Sequence, residues 1–185
     1  LSRTGETEGF AMVGFLQKAL VALALFCAVA LPAQAADHPA DPTRGGAGGR
    51  IIRVTTLAGE GPGSLREAIQ AKGPRIVVFE VGGVIDLGQH LLVIEEPYLT
   101  IAGQTAPGGG ITLYGHRLSY SGANNSITRF IRARMGINGD GNDAITISSG
   151  HDMMFDHVSV SWGQDETFSV SGSDPANISI QSTII

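Results

Sequence analysis

Asp143, Asp165 and Glu166 are the residues of this 185-residue chain whose types and spacing bear most directly on chemistry. On a repeating register, Asp143 and Glu166 hold the same place in successive repeats, two residues ahead of Ile145 and Phe168. His116 holds that place one repeat earlier, ahead of Leu118. Adjacent strands of a parallel stack lie about 4.8 Å apart, so three carboxylates gather on one edge. Unpaired, they repel one another and raise their own pKa values. A hard divalent cation removes the conflict: Ca2+ takes about 6–8 oxygen ligands at roughly 2.3–2.6 Å, some from water or a bound molecule. An oxygen-only donor set suits zinc or iron poorly. The competing reading is a group of solvated turn carboxylates, because Asp favours turns. His116 borders this edge without being assigned as a ligand.

What positions these residues is a repeat. Met153, Phe155, Val158 and Val160 are echoed by Ile178, Ile180, Thr183 and Ile185, and before them by Ser126, Thr128, Ile131 and Ala133. Leu99 and Ile101 come one repeat earlier still, which gives spacings of 27, 27 and 25 residues from Leu99 to Ile178. Such periods mark a solenoid whose units bury their apolar faces only against neighbours. With β-type residues in each unit and Gly, Asn and Ser between them, a parallel β-helix is expected. Strands are predicted at 51–57, 76–81, 84–87, 91–94, 98–102, 111–114, 126–132, 144–148, 153–160, 167–171 and 178–185. Ser64 with Glu67 forms a capping box for one short helix, Leu65 to Ala71, placed to cover the N-terminal end of the core. The register sets Asp156 beside Arg129, and His157 beside Phe130 and Ser182.

Composition agrees with one globular domain: 43% hydrophobic, 16% charged, net charge −5. The mildly acidic balance gives no reason to expect nucleic acid or an anionic membrane as partner. Residues 1–35 read as upstream read-through followed by a secretory signal peptide. Lys18 supplies the positive region, Ala19 to Leu31 the apolar run, and Pro32-Ala33-Gln34-Ala35 the cleavage pattern. An N-terminal membrane anchor is the rival reading of that run. Cleavage would remove Cys27, the only cysteine, and leave a secreted protein without disulfides. Residues 36–50 form a leader that ends in the glycine passage Gly45 to Gly49, and 51–185 the β-helix domain. Because the last strand is uncapped at Ile185, the chain is expected to be the N-terminal part of a longer protein.

These motifs resemble the polysaccharide lyase family that contains the pectate lyases. The matching residues are Val54-Thr55-Thr56-Leu57, Gly63-Ser64-Leu65-Arg66-Glu67-Ala68, Ile101-Ala102-Gly103-Gln104-Thr105-Ala106-Pro107-Gly108, Asp156-His157, and Ser161-Trp162 followed by Asp165-Glu166. The resemblance implies an all-β, right-handed parallel β-helix with a short N-terminal capping helix, truncated at its C-terminus. It implies Ca2+ as cofactor and β-elimination on an acidic plant cell-wall polysaccharide, pectate. Asp143 and Asp165 match family calcium ligands; a further acidic position falls at Ser169, with Glu166 beside it. The family's base is an arginine in an Arg-x-Pro-x-x-Arg motif, which this chain lacks. It is expected beyond Ile185, so no catalytic residue is assigned and the fragment alone is expected to be inactive. The complete protein would be a secreted monomer.

Other polar residues have plainer readings. Asp156 with Arg129 is expected to be a structural ion pair, His157 a hydrogen-bonded wall residue, and Trp162 a packing residue. Arg129, Arg132 and Arg134 read as alternating along one strand, where they could bind an acidic polysaccharide, with ion-paired solvation as the plainer expectation. A non-catalytic glycan-binding or adhesin scaffold is the rival function, because fold alone does not carry function.

Overall fold

The computed structural model of the protein describes residues 43–137 and 141–185. The expected signal peptide, Cys27 and the leader as far as residue 42 lie outside the described residues. The described chain is a β-solenoid built from three parallel sheets. Strands β1 (Arg50–Val54), β2 (Arg75–Phe79), β5 (Leu99–Ala102), β8 (Ser126–Arg129), β11 (His151–Asp156) and β14 (Ala176–Gln181) stack as the first sheet. The second sheet holds β3 (Gly83–Asp86), β6 (Ile111–Tyr114), β9 (Ile131–Arg134) and β12 (Ser159–Ser161). The third holds β4 (Leu92–Ile94), β7 (Leu118–Ser121), β10 (Ile145–Ser149) and β13 (Phe168–Val170). From β2 onward the chain visits the three in turn, whereas β1 is followed by the short helix and then by β2 of the same sheet.

The expected register is the observed one. Met153 pairs with Ser126 and Ile178, Phe155 with Thr128 and Ile180, and Asp156 with Arg129. In the third sheet Leu118, Ile145 and Phe168 share a rung, as do Tyr120, Ile147 and Val170. Alternate residues point inward and fill a continuous core. Val77, Ile85, Leu92, Leu99, Ile111, Leu118, Ile145, Met153 and Phe155 are all buried there. Burying each such side chain contributes roughly 1.5–3 kcal/mol.

Helix α1 (Leu65–Gln70) closes one end, with Leu65, Ala68 and Ile69 buried in the same core and contacts to β1, β2 and β4. Its N-cap is the expected Ser64, whose Oγ accepts from Glu67 N at 3.2 Å. Glu67 reaches back one residue further than the standard box and accepts from Gly63 N at 2.7 Å. The glycine passage before β1 is tight by need: a Cβ on Gly46 would stand 1.8 Å from the Arg75 carbonyl oxygen.

Two expected strands are each broken in two. The run 126–132 turns at Phe130 and the run 153–160 turns at His157, both with left-handed backbone (φ 54°). Ser182 takes the matching place one coil on (φ 49°). At the other end of the first sheet Tyr98, Asn125, Asp152 and Asn177 form a second left-handed column. Corner lengths differ sharply. The first-to-second corner is residue 130 alone in one coil and 103–110 in the preceding one. The second-to-third corner runs over 87–91, 115–117, 135–144 and 162–167 in successive coils.

Candidate functional site

Asp143 stands two residues before β10, and Asp165 with Glu166 stands near the end of the 162–167 corner before β13. Parallel pairing of those strands, Ile145 against Phe168, therefore brings the two corners together. Gln164 stitches them: its backbone N donates to Asn142 O (3.0 Å), its Nε2 donates to Gly136 O (2.9 Å), and its Oε1 accepts from Gly141 N (2.8 Å). Gly163 permits the sharp return, since a Cβ there would lie 2.2 Å from Glu166 O. Asn142 is braced from the preceding coil by Arg117, Nη1 to Oδ1 at 2.9 Å.

The three expected ligands meet. Carboxylate oxygens of Asp143, Asp165 and Glu166 all lie within 4.8 Å of one another, Asp143 buried and the other two exposed. Two oxygens that share an ion at about 2.4 Å stand at most ~4.8 Å apart, so the donor set fits a calcium-sized cation in type and spread. Asp143 is the fixed member. Its Oδ1 accepts from Glu166 N at 3.0 Å, and its Oδ2 accepts from Thr146 Oγ1 at 2.9 Å and from Ser169 Oγ. Burial pushes its pKa up, but hydrogen bonds from Ser169, Thr146 and Glu166 outweigh burial and hold the carboxyl below its ordinary value. Glu166 moves the other way, raised by its hydrogen bond with Asp143 and by repulsion from Asp165. One carboxylate is thus held ionised and its neighbour holds a proton more readily, the imbalance a divalent cation relieves.

Thr146 and Ser169 were not anticipated as partners of Asp143. They sit opposite one another on neighbouring strands, so the register that aligned the carboxylates held the signal for them too. His116 lies one coil before Asp143, where its Nδ1 accepts from Arg117 N at 2.8 Å.

The other singled-out residues fall elsewhere. Asp156 bridges Arg129 (3.3 Å) and His157 (2.6 Å), as the ion-pair reading expected. The arginines do not share one strand: Arg129 ends β8, while Arg132 and Arg134 lie on β9. Arg132 donates to Thr112 Oγ1 and Arg134 to Ser159 O and Oγ, so neighbouring strands hold them rather than carboxylates. Trp162 is not a packing residue; it opens the 162–167 corner and is 62% exposed.

The chain is 57% identical over 142 residues to a protein named probable pectate lyase C from Aspergillus terreus. It is 55% identical over 142 residues to one of the same name from Emericella nidulans. Each match covers 76% of this chain and 33% of the relative, so the chain spans about a third of the length of these relatives. Among solved structures, Jun a 1, the major allergen from cedar pollen, superposes with a TM-score of 0.63 at 22% identity. That match covers 75% of this chain and 45% of the allergen, and it bears on the fold. No protein-family profile matches the chain.

Proposed function

Because the chain is homologous to the pectate lyases, we propose that the protein is a secreted, calcium-dependent lyase that cleaves polygalacturonate-type chains by β-elimination. The sequence spans about a third of the length of the relatives it matches. The observation that carries the calcium assignment is the convergence of Asp143, Asp165 and Glu166 from two successive coils. Asp143 would be the anchoring ligand, since its donors hold it ionised and fixed; Asp165 and Glu166 would close on the ion from the exposed side. When bound, Ca2+ would draw charge from a uronate carboxylate and so acidify the neighbouring C5 proton. The residues themselves supply a polar edge on a rigid sheet, aimed at solvent where a polymer can lie. Ser169 stands where the resemblance places another acid, and its hydroxyl on Asp143 substitutes orientation for charge. No base is assigned among these residues. Export rests on the Ala33-Gln34-Ala35 cleavage pattern, and after cleavage no membrane association is proposed.

The test uses the full-length protein in millimolar calcium or chelator. A ligand at 100 times its Kd adds about 2.7 kcal/mol, which raises the melting temperature by several degrees. Asp143→Asn should remove that shift and abolish calcium-dependent formation of unsaturated uronate. A wild-type melting point and product yield indifferent to calcium would sink the calcium assignment. Glycan binding with no product at any calcium level would leave the scaffold reading.

A further inference from the structure

We propose that the corner between the first and second sheets carries a second carbohydrate site, a slot that takes a carboxylated sugar ring against Phe130 with its carboxylate on Arg132. The rings of Phe130 and His157 lie parallel, centroids 4.5 Å apart and 13° between planes. That separation matches the coil spacing of about 4.8 Å, so both rings lie across the solenoid axis. The other face of Phe130 therefore looks toward the preceding coil. There the matching position is Gly103, where a Cβ would stand 2.4 Å from Phe130 O, so no side chain can cover the ring. The long connection over 103–110 swings out instead and leaves a gap.

That gap is one end of a hollow of about 440 Å3 that runs along the corner over successive coils, with Gln104, Gly110, Phe130, Arg132, His157 and Ile184 among its lining. The volume is in the range of roughly 300–1,000 Å3 common for small-molecule sites, and Phe130 is 41% exposed within it. No Asp or Glu lines the hollow, although the chain carries a net charge of −5. Arg132 is its permanent cation. Its Nε donates to Thr112 Oγ1 at 2.8 Å, and its Nη1 lies 3.5 Å from where a Gly110 Cβ would stand. The guanidinium head is thus held against the glycine wall, and among the described residues it has no carboxylate partner.

An aromatic face, one cation and neutral polar groups together select a ring with an apolar face, hydroxyls and one carboxylate. A phosphorylated partner would call for more than a single cation. The acidic carboxylate corner lies between the second and third sheets, so this slot needs no calcium. The choice of a uronate as probe rests on the lyase reading; the slot does not.

The test is calorimetry on the full-length protein with trigalacturonate in excess EDTA. Binding is expected, and Arg132→Gln and Phe130→Leu should each weaken it at least tenfold at an unchanged melting temperature. The fully methyl-esterified trimer should lose a similar factor. Absence of binding in EDTA, or binding that ignores both slot variants, overturns the proposal. Calcium-dependent product formation is scored separately, so the lyase reading can fail while the slot stands, and the reverse.

Discussion

Three donors converge on Asp143, from Thr146, Ser169 and the backbone of Glu166. They make it a carboxylate that stays ionised, beside a glutamate that titrates above its ordinary value. The protonated Glu166 is favoured because it bonds to Asp143, and its anion is repelled by Asp165. A cation favours the anion, so binding expels the proton, and affinity falls as pH drops through the Glu166 titration. Calorimetry in two buffers of unequal protonation heat should show fractional proton release that grows as pH falls toward the raised Glu166 titration. Glu166→Gln should abolish it; buffer-independent heats at every pH would remove Glu166 from the ligand set. At this scale the sequence told much: the stack of Asp143 over Glu166 follows from counting. Ser169 read as a missing acid because its type was visible and its hydrogen bond was not.

Elements show where that legibility stops. The breaks at Phe130 and His157 are invisible to propensity, since neither residue signals a turn, and a run such as Ser126 to Arg132 looks like one strand. Stacking decides them. Phe130 N donates to Asp156 O and His157 N to Gln181 O, so each left-handed residue is held by the next coil. The column before the first sheet shows the cost more openly. Asn125, Asp152 and Asn177 suit a positive φ, whereas Tyr98 sits at φ 57° with 45% exposure. Asn tolerates this region at little penalty, whereas other residues lose roughly 1–2 kcal/mol. Tyr98→Asn should therefore raise stability by about 1 kcal/mol, seen as a melting point a few degrees higher. A lower melting point would show that the tyrosine ring packs for more than its backbone strain costs.

The whole molecule is a stack in which each coil meets only its neighbours, and the 27, 27 and 25 spacings were enough to specify it. The attachment of the cap was not readable. Arg75 is fully buried with no carboxylate in ion-pair contact among the described residues, and it donates to Ile69 O (2.6 Å), Pro97 O (2.9 Å), Gly73 O (3.1 Å) and Glu96 O (3.2 Å). One guanidinium thus ties the end of α1 to the corner of the following coil, while burial lowers its pKa. Arg75→Met strands those carbonyls at roughly 1–3 kcal/mol for each left unsatisfied. The expected loss in urea unfolding is at least about 3 kcal/mol, and Arg75→Lys should rescue little because an ammonium offers three donors without the planar fork. An unshifted urea midpoint in Arg75→Met would mean that the cap stands on Leu65, Ala68 and Ile69 alone.

The second-to-third corner changes length from coil to coil, over 87–91, 115–117, 135–144 and 162–167, while the strands on either side stay paired, with one register shift after Ile147. Insertions and deletions are therefore cheap on that margin and costly at a single-residue corner, where a one-residue slip turns a strand inside out. Adding or removing chain there would edit the polar edge and leave the spine that aligns it in register.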